Sequence, residues 1–312
     1  MQSSNKTSVK TAMNEQAGFH VWWRLLRPHT LTASFIPVFV GTMAAWTTRS
    51  INPWLFIAMM VASILIQAAT NMFNEYYDHK RGLDNEDSVG IGGTIVRDGI
   101  APKTVLNLAL LFFGISILLG IYISIASSWW IAVIGAASML IGYLYTGGPL
   151  PIAYTPFGEL FSGFLMGTVI IAISYFVQTS EVNWQIVLIS LPVAIFIGSI
   201  MMSNNIRDLD NDKLNGRHTI AILLGRKNAI RFLGGMFIAI YILTLVYIFS
   251  GVLPVWSSIT FLSIPKAVDV IKKFRGKTNP LDMMPAMAAT GKTNTIYGFL
   301  LGLSLLISIF ID

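Results

Sequence analysis

The 312-residue chain has no cysteine, only four histidines, and few charges: Asp, Glu, Lys and Arg together make up 12% of it. Without cysteine there are no disulfides, no thiolate catalysis and no Cys-ligated metal. His20, His29, His79 and His218 are scattered, so no His-rich metal site is suggested. Soluble domains carry about 25% charged residues. This shortage, with 54% hydrophobic residues and a mean hydropathy of +0.66, excludes a soluble globular enzyme, a disordered chain and a nucleic-acid module. The net charge of +6 therefore points to a membrane surface or an anionic substrate as the polyanionic partner. Residues 1–18 are polar and lack the apolar core of a signal peptide. They are expected to form a flexible cytoplasmic tail ahead of a single transmembrane domain over 19–312.

Apolar runs are what the sequence has in abundance. Nine are long enough to cross ~30 Å of hydrocarbon at ~1.5 Å per residue: 30–48, 53–74, 104–126, 129–146, 158–178, 184–203, 229–250, 252–270 and 294–311. The eighth is interrupted near its end by Pro265 and Lys266. The pattern predicts an all-α integral membrane protein, a bundle of nine transmembrane helices. With the N-terminus placed in the cytoplasm, all of the 21 Lys and Arg except Arg49 fall inside, as the positive-inside rule requires. The C-terminus then lies outside. Trp22 and Trp23 sit at the inner interface, and Trp46, Trp54, Trp129, Trp130, Trp184 and Trp256 near outer ends, the level indoles prefer.

The acids are concentrated. Of 15 Asp and Glu, only Glu181 and Asp312 are placed outside, and six of the other thirteen crowd two inner loops, 71–84 and 204–213. Asn71, Asn74 and Asp78 share one face of a helix that continues the second span, with Glu75 beside them. Asn204, Asp208 and Asp212 share a face of the sixth. Asn74 and Asn205 are 131 residues apart, and Asp78 and Asp212 are 134 apart, a faint echo of duplication. Two facing stripes of carboxylates would repel unless a cation lay between them. Oxygen ligands without His or Cys suit Mg²⁺, which binds through a few carboxylates plus substrate phosphates. Lys80, Arg81, Arg207 and Lys213 flank the stripes and are candidates to hold phosphate oxygens.

These motifs resemble those of the UbiA superfamily of intramembrane aromatic prenyltransferases, which have nine transmembrane helices and two aspartate-rich motifs, NDxxDxxxD and DxxxD. Asp208 and Asp212 meet the second in full. In the first, Asn74 and Asp78 match, Glu75 replaces an aspartate, and the last acid comes later, at Asp84. Asp78-x-x-x-Gly82-x-Asp84 is similar to the branch that prenylates 1,4-dihydroxy-2-naphthoate in menaquinone synthesis. So are Arg27-Pro28-His29-Thr30-Leu31, Ser88-Val89-Gly90, Gly147-Gly148-Pro149-Leu150 and Ala221-Ile222-Leu223-Leu224-Gly225.

The resemblance implies a UbiA-like fold, a polyprenyl diphosphate donor, that naphthoate as acceptor with loss of its carboxylate, and a membrane-lipid setting. It implies one Mg²⁺ at Asn74, Asp78 and Asp84, with Glu75 contributing. A second would sit at Asp208 and Asp212, with Asn204 on the same face. Asp78, Asp208 and Asp212 would be the catalytic acids. Tyr76, Tyr143, Tyr145 and Tyr154 become candidates to shelter an allylic cation. Other acceptors, such as 4-hydroxybenzoate or haem, are alternatives within the family. A secondary transporter for an organic anion is one outside it, although its ionisable groups should lie near the bilayer midplane.

Other residues carry weaker signals. Asp210 alternates with the metal stripe and is expected to be solvated. Glu159 is expected to cap its own helix or a neighbouring one, with a role in the site as the alternative. Arg97 lies in a glycine-bearing segment, 92–99, that reads equally as a lid or a connector. Gly114, Gly120, Gly135, Gly142, Gly163 and Gly167 mark either close packing or a gap for the prenyl tail.

Overall fold

The computed structural model describes residues 18–82, 93–146 and 151–311, the side chains of Phe19 and Thr146 aside. Residues 1–17, Ser88-Val89-Gly90, Gly147-Gly148-Pro149-Leu150 and Asp312 lie outside the described residues. The described part is helical: α1 Phe19–Leu25, α2 Pro28–Trp46, α3 Pro53–Lys80, α4 Thr94–Asp98, α5 Pro102–Ala126, α6 Trp129–Thr146, α7 Gly158–Thr179, α8 Trp184–Leu214, α9 Ile220–Leu224, α10 Arg226–Phe249, α11 Ile264–Phe274 and α12 Pro280–Ile311. No strand occurs among these residues.

Local chemistry sets the helix starts. Proline opens α2, α3 and α5 at their first turns, where its missing N–H is no loss. Asn52 accepts from the amides of Trp54 and Leu55 at 3.0 and 3.3 Å, and Asn183 from that of Ile186 at 2.9 Å, so α3 and α8 are capped. Six helices are long and apolar enough to cross a membrane. Three further segments fall on the remaining predicted spans: α2, α6 and the stretch from Val255 to Phe274. That last stretch is a nine-residue 3₁₀ helix, Val255–Ser263, running into the eleven-residue α11. Together they reach about 34 Å. Pro265 interrupts nothing, because it sits in the first turn of α11. Ser257, Thr260 and Ser263, three apart, stack on one side of the three-residue turn and are buried. Ser257 meets Ser304 at 2.9 Å and Ser263 meets Tyr241 at 2.7 Å.

The long helices overshoot the predicted spans. α3 has 28 residues and α8 has 31, or ~42 and ~46 Å. Polar side chains do not stop a helix; left-handed glycines do. Gly82 at φ +73° and Gly216 at φ +74° end these two.

Helix ends group into two sets. At one, Arg49 pairs with Glu181 at 3.2 Å, the Asn52 amide donates to Gln178 at 2.8 Å, and Gln185 donates to the Val252 carbonyl at 3.0 Å. Trp46, Trp54, Trp129, Trp130 and Trp184 start or end helices there and are exposed. The other end carries the two acidic motifs. In the bundle, α3 packs on α5, α2 on α7 and α12, and α8 on α7, α10 and α12. Within α7, residues 163–169 widen into a π-turn, a feature frequent at functional sites. Gly163 and Gly167 press against Ala194 of α8, where a Cβ would come within 2.6 and 2.5 Å of it.

Candidate functional site

The decisive residue is one that sequence spacing did not single out. Arg217 lies just past the glycine that ends α8. Its Nη2 is 3.3 Å from Asp78 Oδ1 and its Nη1 is 3.1 Å from Asp212 Oδ1. One guanidinium thus joins the polar ends of α3 and α8. Burial disfavours its charge, but Asp212 and Asp78 more than offset this and raise its pKa above the ordinary arginine value. Tyr154 lies under it, with Arg217 Cζ 5.1 Å from the ring centroid, and Arg81 approaches the same ring at 6.0 Å. Tyr154 therefore orients arginines here. The His218 amide donates to the Tyr154 carbonyl at 2.9 Å and fixes the turn.

The rest of the α3 stripe divides its tasks. Asn71 is buried and turned toward the corner between α1 and α2, donating to Leu26 O at 3.0 Å and Thr30 Oγ1 at 2.9 Å. Glu75 is fully buried. Its Oε1 accepts from Thr94 Oγ1 and from the Ile95 amide at 3.0 Å, so it pins α4. Its Oε2 is buried without a hydrogen-bond partner. Asp98 at the far end of α4 is held by Arg24 at 3.0 Å and Arg97 at 3.3 Å. α4 is thus fastened at both ends, between Gly93 and Gly99 in left-handed conformations. Asp84 lies outside the described residues.

On α8, Asn205 donates to Glu159 Oε1 at 2.9 Å and ties α8 to α7. Arg207 is buried and forks onto Asp208, Nε to Oδ1 at 2.7 Å and Nη2 to Oδ2 at 2.5 Å, with Nη1 3.0 Å from the Met287 sulfur. Asp210 is exposed and pairs with Arg226 at 3.0 Å, in keeping with a solvated position. Lys80, Arg81 and Lys213 are exposed at this same end.

Behind the acids a cavity of about 670 Å³ runs between α2, α3, α5, α6, α7 and α8. Asn74, Asn204 and Tyr145 line its polar part; Val38, Met59, Ile123, Ile131 and Ile173 line the far part. Asn204 Oδ1 is buried without a hydrogen-bond partner. Of the four candidate tyrosines only Tyr145 lines the cavity. The Tyr143 hydroxyl is 2.6 Å from that of Tyr77, and Tyr76 packs edge-on against Tyr77. The glycines separate as well. Gly120, Gly135 and Gly142 line the cavity, whereas Gly163 and Gly167 are packing glycines.

A family model described as the UbiA prenyltransferase family matches residues 34–287. The chain belongs to the UbiA prenyltransferase family. It is 53% identical to the 1,4-dihydroxy-2-naphthoate octaprenyltransferase of Bacillus subtilis, covering 99% of this chain and all of that one. Identity to the octaprenyltransferase of the same name from Mycobacterium tuberculosis is 26%, over 88% of this chain and 93% of that one. The fold is shared with a solved UbiA homologue from Archaeoglobus fulgidus bound to GPP and Mg²⁺. There the TM-score is 0.65 at 15% identity, covering 92% of this chain and 99% of that one.

As a UbiA protein, the chain can be tested for its fit to a divalent cation. Among the described residues no three His, Cys, Asp or Glu side chains cluster closely enough to hold a metal alone. What converges is a pair of carboxylates already reaching one cation, Arg217, with two cavity-lining amides, Asn74 and Asn204, nearby. Mg²⁺ takes one or two carboxylates and completes its shell with water and substrate phosphate. The donor set fits a metal that arrives with a diphosphate.

Proposed function

We propose that this protein transfers a polyprenyl group from its diphosphate to 1,4-dihydroxy-2-naphthoate, with loss of the carboxylate, as a step of menaquinone biosynthesis. The observation that carries the reading is the meeting of Asp78 and Asp212 on one cation at the polar end of an apolar cavity. The 53% identity over essentially the whole chain to a protein of that activity supports the acceptor.

Asp78 and Asp212, with Asn74 and Asn204, would hold Mg²⁺, and Asp208 would add a further acid beside Asp212. The metal supplies charge neutralisation where the diphosphate departs. Arg217 turns from the carboxylates to the leaving oxygens, and Lys80, Arg81 and Lys213 add positive charge around them. Arg207, locked onto Asp208, sets that aspartate's direction. These cations act most strongly on the charge that develops as the C–O bond breaks. The Tyr145 ring stands at the polar part of the cavity, where an allylic cation gains from a π face. The apolar walls beyond it take the prenyl tail and keep water from the cation. In this reading residues 19–312 act as one transmembrane unit. The acidic end faces the cytoplasm with the N-terminus, and the C-terminus lies outside. The basis is that all Lys and Arg but Arg49 then lie within.

The test is a panel of aromatic acceptors offered with one prenyl diphosphate to membrane vesicles, with Mg²⁺ or with EDTA. The expected result is Mg²⁺-dependent release of diphosphate with the dihydroxynaphthoate and not with 4-hydroxybenzoate. Turnover with the benzoate alone would move the chain to another branch. Solute uptake without any turnover would overturn the enzyme reading.

A further inference from the structure

The seam between α10 and α11 carries positive charge that the site above does not use. α10 leaves the acidic end, where Arg226 pairs with Asp210, and the chain returns through the 3₁₀ helix and α11, so the two helices pack in opposite directions. Gly234 of α10 faces Ile271 of α11: a Cβ on the glycine would stand 3.9 Å from the isoleucine side chain. Lys227 and Arg231 precede Gly234 by seven and three residues, so they share its face on the side of the acidic end. Lys272 directly follows Ile271. Arg275 follows it by one turn, its amide donating to the Ile271 carbonyl at 3.1 Å. Gly276, at φ +72°, then reverses the chain, and the Lys277 amide donates back to the Phe274 carbonyl at 3.1 Å. Lys227, Arg231, Lys272, Arg275 and Lys277 thus gather, exposed, at one mouth of the seam. Among the described residues none of them pairs with a carboxylate: Asp210 holds Arg226, Asp269 holds Lys273 at 2.6 Å, and Asp282 at the start of α12 pairs with none. Arg231 donates only to Asn228, at 3.2 Å.

Beyond the glycine the chemistry changes. Ile238 lies one turn past Gly234, and Val268 and Ile264 precede Ile271 by three and seven residues. All three are exposed and stand on the far side of Gly234 from the cations.

We propose that this seam binds an anionic phospholipid from the leaflet at the acidic end, its phosphate among the five cations and an acyl chain along Ile238, Val268 and Ile264. The inference goes beyond the prenyltransferase reading and does not depend on it. Each Lys or Arg at a membrane surface attracts anionic lipid, and basic pockets between transmembrane helices hold anionic head groups. A lipid suits the seam better than a soluble anion because charge and apolar surface follow one another along a single groove. Gly234 keeps that groove shallow where the two meet. The unpaired cations also repel one another, so an anionic head group relieves a cost that the protein otherwise bears alone.

The test titrates the purified full-length protein in detergent with phosphatidylglycerol or phosphatidylcholine and counts bound lipid by native mass spectrometry. The wild type should bind phosphatidylglycerol at least tenfold more tightly than phosphatidylcholine. The double variant Arg231→Gln/Lys272→Gln should weaken phosphatidylglycerol binding about thirtyfold. Lys103→Gln/Lys266→Gln removes the same charge away from the mouth of the seam and should change it less than threefold. Gly234→Leu keeps every cation but fills the groove, and it too should weaken binding. Equal wild-type affinity for the two lipids would overturn the proposal, and that result decides the matter even if a variant fails to fold. Equal losses in the two double variants would also overturn it, since they would show attraction by net charge with no site at the seam. Displacement of phosphatidylglycerol by millimolar inorganic phosphate, with Gly234→Leu binding as the wild type does, would assign the cations to a soluble anion and overturn the lipid.

Discussion

The ends of α3 and α8 make an instructive pair. Each runs from asparagine to aspartate along one face, and each stops at a left-handed glycine four residues past an acid, Gly82 after Asp78 and Gly216 after Asp212. Their other polar residues do different work. On α3, Asn71 and Glu75 are buried and hold up the architecture at the mouth, one fastening the α1–α2 corner and the other fastening α4. On α8, Asn204 looks into the cavity, while Asn205 ties to α7 and Asp210 faces solvent. Only Asp78 and Asp212 do the same thing, and they do it to the same guanidinium. The lesson is that a motif's letters do not share a role. Position on the helix face relative to the partner helix decides which oxygen reaches the site and which supports it.

The sharpest way to break this comparison is at the shared pair. Asp78→Asn and Asp212→Asn should each lower prenyl transfer on the order of 10³-fold, because each removes a charge aimed at the diphosphate-binding cation. Membrane insertion should be unchanged when the variants are compared by detergent extraction and yield. Full activity in either would remove that helix from the site.

Arg217→Gln should cost less, on the order of 10²-fold in turnover, since the metal carries part of the same charge. The variant should also melt lower than wild type in EDTA and recover more on adding Mg²⁺, as two buried carboxylates have then lost their counter-charge. A variant whose melting does not respond to Mg²⁺ any more than wild type would show that the two cations do not share the acids.

Glu75→Ala sharpens the contrast from the supporting side. It should destabilise by ~2 kcal/mol, since it leaves Thr94 and the Ile95 amide without their buried acceptor, and proteolysis within 93–99 should quicken. Turnover per folded molecule should fall far less than in Asp78→Asn. Loss equal to that of Asp78→Asn would place Glu75 among the ligands after all. Asp210→Asn, which breaks an exposed pair with Arg226, should shift stability by ~0.5 kcal/mol or less and keep most of the activity.

Much of this was legible beforehand. The nine apolar runs correspond to helical segments because span length and apolarity are properties of the chain itself. The faces of α3 and α8 were legible because helical periodicity places Asn74, Asp78, Asn204 and Asp212 without reference to anything distant. Arg217 was not, since it reaches the acids only after Gly216 reverses the chain, and a reversal's direction depends on tertiary packing. Its one local signal was the glycine. Glu75 could not be told from its neighbours because its partner, Thr94, lies 19 residues away across a segment with no regular period. The glycines were ambiguous for the same reason: Gly163 and Gly135 differ only in whether Ala194 or open space faces them.

The most direct test is a double-mutant cycle on Mg²⁺-dependent binding of a prenyl diphosphate to the purified protein, using Asp78→Asn, Asp212→Asn and the double variant. If both carboxylates serve one cation site, each single change should weaken binding about a hundredfold and the double change should be scarcely worse than the weaker single. Losses that multiply in the double variant would mean that α3 and α8 hold separate sites, and the account of a shared one would be contradicted.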